Sequence, residues 1–242
     1  MSATRRYILL KSHMRSHSTL LAHILGSHPE IDGYTELHKR YESLTDLHGM
    51  TPRIEEHTGT RRRGRYALDK LLHNNCVVAP GILSRDDVKV VFLLRNARDT
   101  LPSILRARVV GDEVGSPGTS EIATRYYITR LKQLDDYSGI VGARAAFVEA
   151  ERLIADADAI LAELGRYLGL ATPLSPTYTL FKHTGKRELG DPGTNILAGR
   201  VLRDHERDPG GGPVEIPDDL MSSAVAAYAA LLPKLRERHP AR

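Results

Sequence analysis

The chain has 242 residues, of which 41% are hydrophobic and 26% are charged, a balance that is typical of a folded globular protein and excludes a largely disordered chain. Its formal net charge of +4 is compatible with an anionic ligand but is too small an excess to predict a nucleic-acid partner. Cys76 is the single cysteine, so neither an internal disulfide bond nor a cysteine-based zinc cluster can form, and a reducing compartment is favoured.

The first residues predict neither a targeting signal nor a membrane span. Arg5 and Arg6 precede an apolar run from Tyr7 to Leu10, which is far too short for the core of a signal peptide or for a membrane span. We therefore expect a cytoplasmic protein without a membrane span. The chain has 26 arginines against 8 lysines, a bias that points to a GC-rich bacterial gene. Its length suits a single domain over residues 1–242.

The first thirty or so residues predict a strand, a loop and a helix. Residues 6–10 are rich in strand-forming types, with an apolar run from Tyr7 to Leu10, whereas residues 11–19 are mostly polar, small or basic. From Ser18, apolar residues recur at three-to-four spacing up to Gly26, and Pro29 then enforces the end of the helix.

The middle of the chain is less regular, apart from one strong strand. Residues 33–65 carry many charges and little periodicity, which predicts one or two helices and a surface segment. Residues 88–94 form a nearly continuous β-branched run, as in a strand that is covered on both faces. Asp99 then caps a predicted helix that tolerates Pro102 in its first turn.

The second half continues to alternate between helix and strand. In chain order it predicts a loop (residues 111–118), a helix (120–138), a short strand (147–148) and a second helix (150–168). A long loop rich in Gly, Asp and Pro (185–213) and a final helix (218–236) follow. This alternation predicts an α/β fold of three layers, with a central, mostly parallel sheet flanked by helices. In such folds, ligand-binding loops lie at the carboxyl ends of the strands.

The loop after the first strand has the composition of an anion site. It runs Ser12-His13-Met14-Arg15-Ser16-His17-Ser18-Thr19. A loop between a buried strand and a helix aims backbone N–H groups and the positive helix end at one point, which suits phosphate or sulfate, although a polar helix cap uses the same residue types. The kinase pattern G-x-x-x-x-G-K-[ST] is absent, because neither glycine is present and no lysine precedes Thr19.

This loop is part of a longer pattern that resembles a known family. Residues 15–21 followed by His28-Pro29 are similar to the R-S-G-S/T-T-L-L…H-P signature of sulfotransferases that use 3′-phosphoadenylyl sulfate (PAPS). The resemblance implies a P-loop-NTPase-like fold whose loop binds the 5′-phosphosulfate of PAPS. Arg15 takes the place of the basic residue that contacts the bridging oxygen. The other implied donor-loop residues are Ser16, His17, Ser18 and Thr19.

One position of this loop departs from the family pattern. His17 stands where the family usually has glycine, which lets the backbone approach the phosphate closely and adopt dihedral angles that a β-carbon discourages. His17 is either tolerated there or contacts the donor or the acceptor itself.

A second pattern follows the strand predicted at residues 88–94. Residues 90–99, V-V-F-L-L-R-N-A-R-D, together with Ser103 resemble the family's hydrophobic strand, R-[DN]-P-R-D and serine. In the family the first arginine and the serine hold the 3′-phosphate, which implies this role for Arg95 and Ser103. The chemistry agrees, since arginine at a strand end offers a planar fork of donors.

Weaker agreement extends toward the end of the chain. Residues 185–200 resemble the family's late glycine-rich loop, which closes over the nucleotide. Lys186, Arg187 and Arg200 are candidate phosphate ligands there, or else solvated basic side chains.

Sulfuryl transfer needs an in-line acceptor, a base for the acceptor proton and cations for the departing phosphate. Glu36 lies close to where tyrosyl-protein and several carbohydrate sulfotransferases carry their glutamate base. His73 is the rival, because cytosolic sulfotransferases use a histidine close after a lysine, and His38 is a further candidate. Lys70 is similar to the family's second catalytic lysine. The predicted catalytic residues are therefore Arg15, Glu36, Lys70 and His73.

The resemblance thus implies transfer of a sulfuryl group from PAPS to a hydroxyl of a small molecule or glycan, with adenosine 3′,5′-bisphosphate as product. The histidines show no H-E-x-x-H or comparable spacing, so we expect no metal. Two alternatives stay open: an ATP-dependent P-loop kinase, and a non-catalytic nucleotide-binding or nucleic-acid-binding protein that would use the basic run Arg61 to Arg65. The acceptor cannot be predicted from these residues.

Overall fold

The computed structural model describes residues 5–59, 64–107, 119–186, 193–208 and 211–240. Their five strands are β1 (Arg6–Lys11), β2 (Ile31–Asp32), β3 (Tyr66–Leu71), β4 (Val88–Leu94) and β5 (Ala146–Glu149). They form one sheet in the order β2-β3-β1-β4-β5, and each neighbouring pair is parallel. The carboxyl ends of all five strands therefore meet at one edge of the sheet.

Helices cover both faces of this sheet. They are α1 (Ser18–Ser27), α2 (Leu44–His48), α3 (Met50–Thr58), α4 (Pro80–Leu83), α5 (Ala97–Ala107), α6 (Ser120–Val141), α7 (Ala150–Ala155), α8 (Ala157–Leu168) and α9 (Asp218–Arg238). One apolar core lies between the sheet and α1, α7 and α8. A second core lies on the opposite face, against α3, α5, α6 and α9. The expected three-layer α/β architecture is confirmed.

The two cores explain why the central strands are apolar at nearly every position. In β1 the side chains of Ile8 and Leu10 enter the core beneath α1, whereas Tyr7 and Leu9 enter the opposite core. Alternate residues of a strand point to opposite faces, and both faces are covered here. A continuous apolar run is therefore what each central strand requires.

The pattern-based predictions missed one central strand. β3 pairs with β1 along its whole length, but Asp69 and Lys70 interrupt its apolar run and hid the strand. Both are fully buried, because each finds polar partners in the site described below. Residues 33–65 contain the helices α2 and α3, and the short strand β2, just before them, was also missed.

Two helix boundaries also differ from prediction. The helix α5 begins at Ala97, and Asn96 caps it by accepting a hydrogen bond from the amide of Asp99 (2.9 Å); Asp99 is not the cap, and Pro102 lies in the second turn. The predicted helix 150–168 is two helices, because Asp156 adopts a non-helical conformation and its side chain accepts from the amide of Ala159. The predicted loop 111–118 lies outside the described residues.

The remaining predicted elements agree with the structure in kind and approximate position. They are the strands at the start of the chain and at residues 88–94 and 147–148, and the helices that start near residues 18, 120 and 218. No helix among the described residues combines the length and the apolar character that crossing a bilayer requires.

Candidate active site

The loop between β1 and α1 folds into a tight cradle at the carboxyl edge of the sheet. Arg15 and His17 both adopt left-handed backbone dihedrals, with φ values of 61° and 66°, and α1 begins directly after His17. Asn, Asp and His are the non-glycine residues most often found in this region. The histidine thus adopts the backbone conformation for which glycine is ordinarily used.

Hydrogen bonds anchor this loop to the neighbouring strand β4. The hydroxyl of Ser12 donates to the carbonyl of Leu93 (2.7 Å), and the amide of Arg95 donates to Nε2 of His13 (3.1 Å). Burial lowers the pKa of His13 to about 4, so its ring is neutral and can accept that bond. Ser16 donates to the carbonyl of His13 (2.8 Å), so its hydroxyl stabilises the loop from within.

Three arginines from separate segments converge on the cradle. Nε of Arg15 donates to the hydroxyl of Ser103 (3.0 Å), Nη1 of Arg95 donates to the carbonyl of Arg15 (3.1 Å), and Nη2 of Arg207 donates to Nδ1 of His17 (3.3 Å). Burial lowers the pKa of Arg95, and the charges of Arg207 and Arg15 lower it further. Such a concentration of positive charge favours an anion at this point.

A second group of polar residues lies beside the first turn of α1. Nζ of Lys70, at the end of β3, donates to the hydroxyl of Thr19 (2.9 Å) and lies 3.2 Å from Oε1 of Glu36. The other carboxylate oxygen of Glu36 lies 3.3 Å from Nε2 of His73. The ring of His38 lies 5.4 Å from that of His73. One lysine thus connects the anion cradle to the carboxylate.

These neighbours decide the charge of Glu36. Burial by itself would raise the pKa of this carboxyl, but the ammonium of Lys70 and the hydrogen bond from His73 outweigh it and lower the pKa to about 2. Glu36 is therefore ionised throughout the neutral range. It can accept a proton once a positive neighbour is drawn away from it.

Two further buried residues position the second group, and neither was predicted. Asp69 accepts hydrogen bonds from the amide of Leu37 (2.9 Å) and the hydroxyl of Tyr41 (2.7 Å), which fixes the segment that carries Glu36. Arg130, fully buried on α6, donates to the carbonyls of Ser12, Leu71 and His73. It thereby holds the ends of β1 and β3 together.

The structure brings most of the predicted site residues to one edge of the sheet. The donor-loop candidates and the pair Arg95 and Ser103 surround the cradle, and Lys70, Glu36 and His73 lie next to it. Arg200 has other partners, since its exposed guanidinium pairs with Glu206 (2.7 Å). Of the basic run Arg61 to Arg65, residues 61–63 lie outside the described residues. The candidate phosphate ligand Arg187 also lies outside them. Arg207 joins the cradle instead, and no pattern in the sequence distinguished it.

Comparisons with known proteins agree on the fold. No family model matches the chain, and no curated protein matches it by sequence. Among solved structures, it is similar to the sulfotransferase domain from the curacin biosynthetic pathway, with a TM-score of 0.60 at 17% identity over 93% of this chain and 98% of that one. A sulfotransferase from Alicyclobacillus acidocaldarius gives a TM-score of 0.52 at 15% identity over 97% and 95% of the two chains. The chain has the sulfotransferase fold.

Proposed function

We propose that this protein is a sulfotransferase that moves a sulfuryl group from PAPS to a hydroxyl group of a small molecule or glycan. The cradle between β1 and α1 would bind the 5′-phosphosulfate, and Arg95 with Ser103 would bind the 3′-phosphate. The product nucleotide would be adenosine 3′,5′-bisphosphate. We further propose that the protein acts in the cytoplasm.

One observation carries this proposal. Lys70 is within hydrogen-bond distance of Thr19 in the cradle (2.9 Å) and within 3.2 Å of the carboxylate of Glu36. A group bound in the cradle and a proton acceptor are therefore separated by a single ammonium. Sulfuryl transfer needs this combination, with a cation for the leaving group and a base for the acceptor on opposite sides of the reacting sulfur.

The residues can be assigned to the steps of an in-line transfer. Glu36 takes the proton of the acceptor hydroxyl as the acceptor oxygen forms its bond to sulfur. The bond between sulfur and the bridging oxygen breaks, and Arg15 and Lys70 neutralise the charge that develops on the departing bisphosphate. Once a donor in the cradle attracts Lys70, the pKa of Glu36 rises from its resting value toward that of an ordinary carboxyl, which improves it as a base.

The contact between Glu36 and His73 supports the choice of base. Both candidates lie in one group, 3.3 Å apart, so His73 can orient the carboxylate. Glu36 is in turn the residue that Lys70 contacts directly. We therefore assign proton removal to Glu36 and a positioning role to His73.

A thermal-shift titration tests the donor assignment. A ligand that binds only the folded state raises its melting temperature, so adenosine 3′,5′-bisphosphate should raise it more than ATP with Mg²⁺ does. The Arg95→Ala variant should lose at least about tenfold in affinity for the bisphosphate, because a charge-assisted contact with phosphate is removed. Arg125→Ala, which removes an exposed arginine of α6, serves as the control and should bind like the wild type.

Other outcomes would redirect the assignment. A preference for ATP with Mg²⁺ would favour a phosphotransferase, and stabilisation by neither nucleotide would contradict a donor site in the cradle. Turnover is then tested by incubating the enzyme with PAPS and a panel of hydroxylated metabolites and glycans. Release of the bisphosphate that depends on an acceptor is the expected result.

A further inference from the structure

Three potential metal ligands lie together beside the cradle. Their donor atoms, one each from Glu36, His38 and His73, all lie within 4.8 Å of one another. Glu36 and His38 are separated only by Leu37, which is buried and whose amide is held by Asp69. The two polar side chains that flank this anchored residue can therefore both face His73, which follows β3.

The donor set suits a transition metal rather than magnesium. Two imidazoles and one carboxylate are a common protein ligand set for Zn²⁺, whereas Mg²⁺ prefers oxygen ligands only. Around a tetrahedral Zn²⁺ ion the ligand atoms lie about 3.3 Å apart. Oε2 of Glu36 and Nε2 of His73 already have this separation, at 3.3 Å.

The remaining ligand needs only a small movement. His38 is exposed, and because its ligand atom lies within 4.8 Å of the other two, a movement of at most about 1.5 Å would complete the set. Lys70 contacts the other oxygen of Glu36, so it does not occupy the oxygen that faces the histidines. With three protein ligands, a fourth position stays open to water or to an acceptor group.

We propose that Glu36, His38 and His73 form a binding site for a divalent transition-metal ion of the Zn²⁺ type, and that the bound ion inhibits the protein. A metal on Oε2 would prevent Glu36 from accepting a proton and would fix His73. Its positive charge would also oppose that of Lys70. The ion is thus a reversible inhibitor and not a cofactor. The statement about inhibition depends on the proposed function, whereas the binding site does not.

Calorimetric titration of the full chain with ZnCl₂ tests the site directly. The protein is used without an affinity tag, and bound metal is first removed with a chelator. We expect one equivalent of Zn²⁺ to bind and Mg²⁺ not to compete. His38→Ala and His73→Ala should each weaken binding by at least about tenfold, since each removes a ligand. His205→Ala, which removes an exposed histidine in a different segment, should bind like the wild type.

Every outcome decides for or against the site. The site would be overturned if Zn²⁺ did not bind, if the His38→Ala and His73→Ala variants bound it as tightly as the wild type, or if His205→Ala lost as much affinity as they do. Thermal unfolding confirms that each variant is folded, and because His38 is exposed its variant decides the case even if the His73 variant does not fold.

Inhibition is measured separately from binding. Stoichiometric Zn²⁺ should suppress turnover, and a chelator should restore it. If the chain proves to have no activity with PAPS, the titration still tests the metal site, so failure of the proposed function and failure of this inference can be told apart. Turnover that persists when one equivalent of Zn²⁺ is bound would refute the inhibitory role.

Discussion

At the scale of single residues, Glu36 combines two properties that ordinarily exclude each other. Its side chain is only 16% exposed, and burial disfavours a charged carboxylate. Lys70 and His73 nevertheless lower its pKa to about 2. A carboxylate this acidic is a weak base, and its reactivity therefore depends on the position of Lys70, which also contacts the cradle.

Replacing Glu36 with Gln should separate catalysis from donor binding. The amide keeps the size of the side chain but cannot take a proton, so turnover should fall by about 10²- to 10⁴-fold. Affinity for adenosine 3′,5′-bisphosphate should stay within about threefold of the wild type, since Glu36 does not line the cradle. Steady-state kinetics and a thermal-shift titration measure the two quantities.

The control for this variant is Glu56→Gln, which changes an exposed glutamate of α3 and should leave turnover unchanged. Wild-type turnover in Glu36→Gln would show that another group removes the proton, and His73 would become the preferred base.

A comparison of the wild type with Glu36→Gln should also reveal the depressed pKa of Glu36. A carboxyl with a folded-state pKa of about 2, below its ordinary value of 4.5, contributes stability above the ordinary value and loses it as the pH falls toward 2. The free energy of unfolding of the wild type, minus that of Glu36→Gln, should therefore decrease by about 2 kcal/mol from about pH 6 to about pH 3. Urea unfolding at a series of pH values measures this difference, and a constant difference would contradict the ion pair.

His17 poses a different question at the same scale, because it adopts φ 66° without being glycine. His17→Gly suits this backbone conformation and should bind adenosine 3′,5′-bisphosphate within about threefold of the wild type. His17→Val places a β-branched residue there and should lose both stability and affinity. If His17→Gly lost as much affinity as His17→Val, the imidazole of His17 would instead be shown to contact the donor. Thermal-shift titrations of both variants make the comparison.

At the scale of elements, β3 is what joins the two halves of the site. Lys70 faces the core under α1 and reaches Thr19 (2.9 Å), whereas its neighbour Asp69 faces the opposite side and reaches Tyr41 (2.7 Å). Because side chains alternate along the strand, the ammonium of Lys70 points to the cradle, and the carboxyl of Asp69 accepts hydrogen bonds from the segment that carries Glu36. A shift of register by one residue would undo both contacts.

Removing the Asp69 carboxylate should destabilise the chain. Asp69→Ala leaves the amide of Leu37 and the hydroxyl of Tyr41 without their partner, which we expect to cost about 2 to 4 kcal/mol in the free energy of unfolding. Asp69→Asn can keep one acceptor oxygen and offer a donor to Tyr41, so its cost should be below about 1 kcal/mol. Urea unfolding distinguishes the two, and equal losses would show that the charge of Asp69, rather than its hydrogen bonds, holds the segment.

At the scale of the whole molecule, the carboxyl edge of the sheet carries the site while the two cores carry the stability. The helix α9 covers the face of the sheet that carries α5 and α6, and its residues Leu231 and Leu235 are buried there. None of the cradle residues belongs to α9. Stability and the proposed chemistry are thus assigned to different parts of the fold.

Mutation of α9 should therefore change stability without changing the site. Leu235→Ala opens a cavity in a fully buried position and should cost about 2 to 5 kcal/mol. Leu197→Ala, at a leucine that is 53% exposed, should stay within about 0.5 kcal/mol of the wild type. The affinity for adenosine 3′,5′-bisphosphate should be unchanged in both, measured below the melting temperature. Loss of affinity in Leu235→Ala would show that α9 supports the cradle after all.

What could be predicted from the sequence was chiefly local. The strand at residues 6–10, the following loop and the helix from Ser18 lie within one continuous segment, and the apolar spacing of each element is set by which of its own faces is buried. The same holds for the strand at residues 88–94. These patterns sufficed for the α/β fold and, through the resemblance, for most of the residues that surround the cradle, Arg207 being the exception.

Elements whose polar residues are buried could not be predicted in this way. The strand β3 contains Asp69 and Lys70, which look like surface residues until their partners are known. The helix at residues 150–168 likewise contains Asp156, whose capping role depends on a break that apolar spacing alone does not indicate. In both cases a polar contact, rather than hydrophobic periodicity, decides the local structure.

The tertiary structure decided which distant residues meet. By itself the sequence determined the alternation of most strands and helices and the polar composition of the loops that end them, because those features depend on local burial. Only closure of the parallel sheet brought Lys70 against both Thr19 and Glu36, placed His38 and His73 within reach of one ion, and carried Arg207 to His17. The reason is physical: the side-chain period within an element is set by its own backbone, whereas contacts between elements depend on the register and packing of the whole sheet.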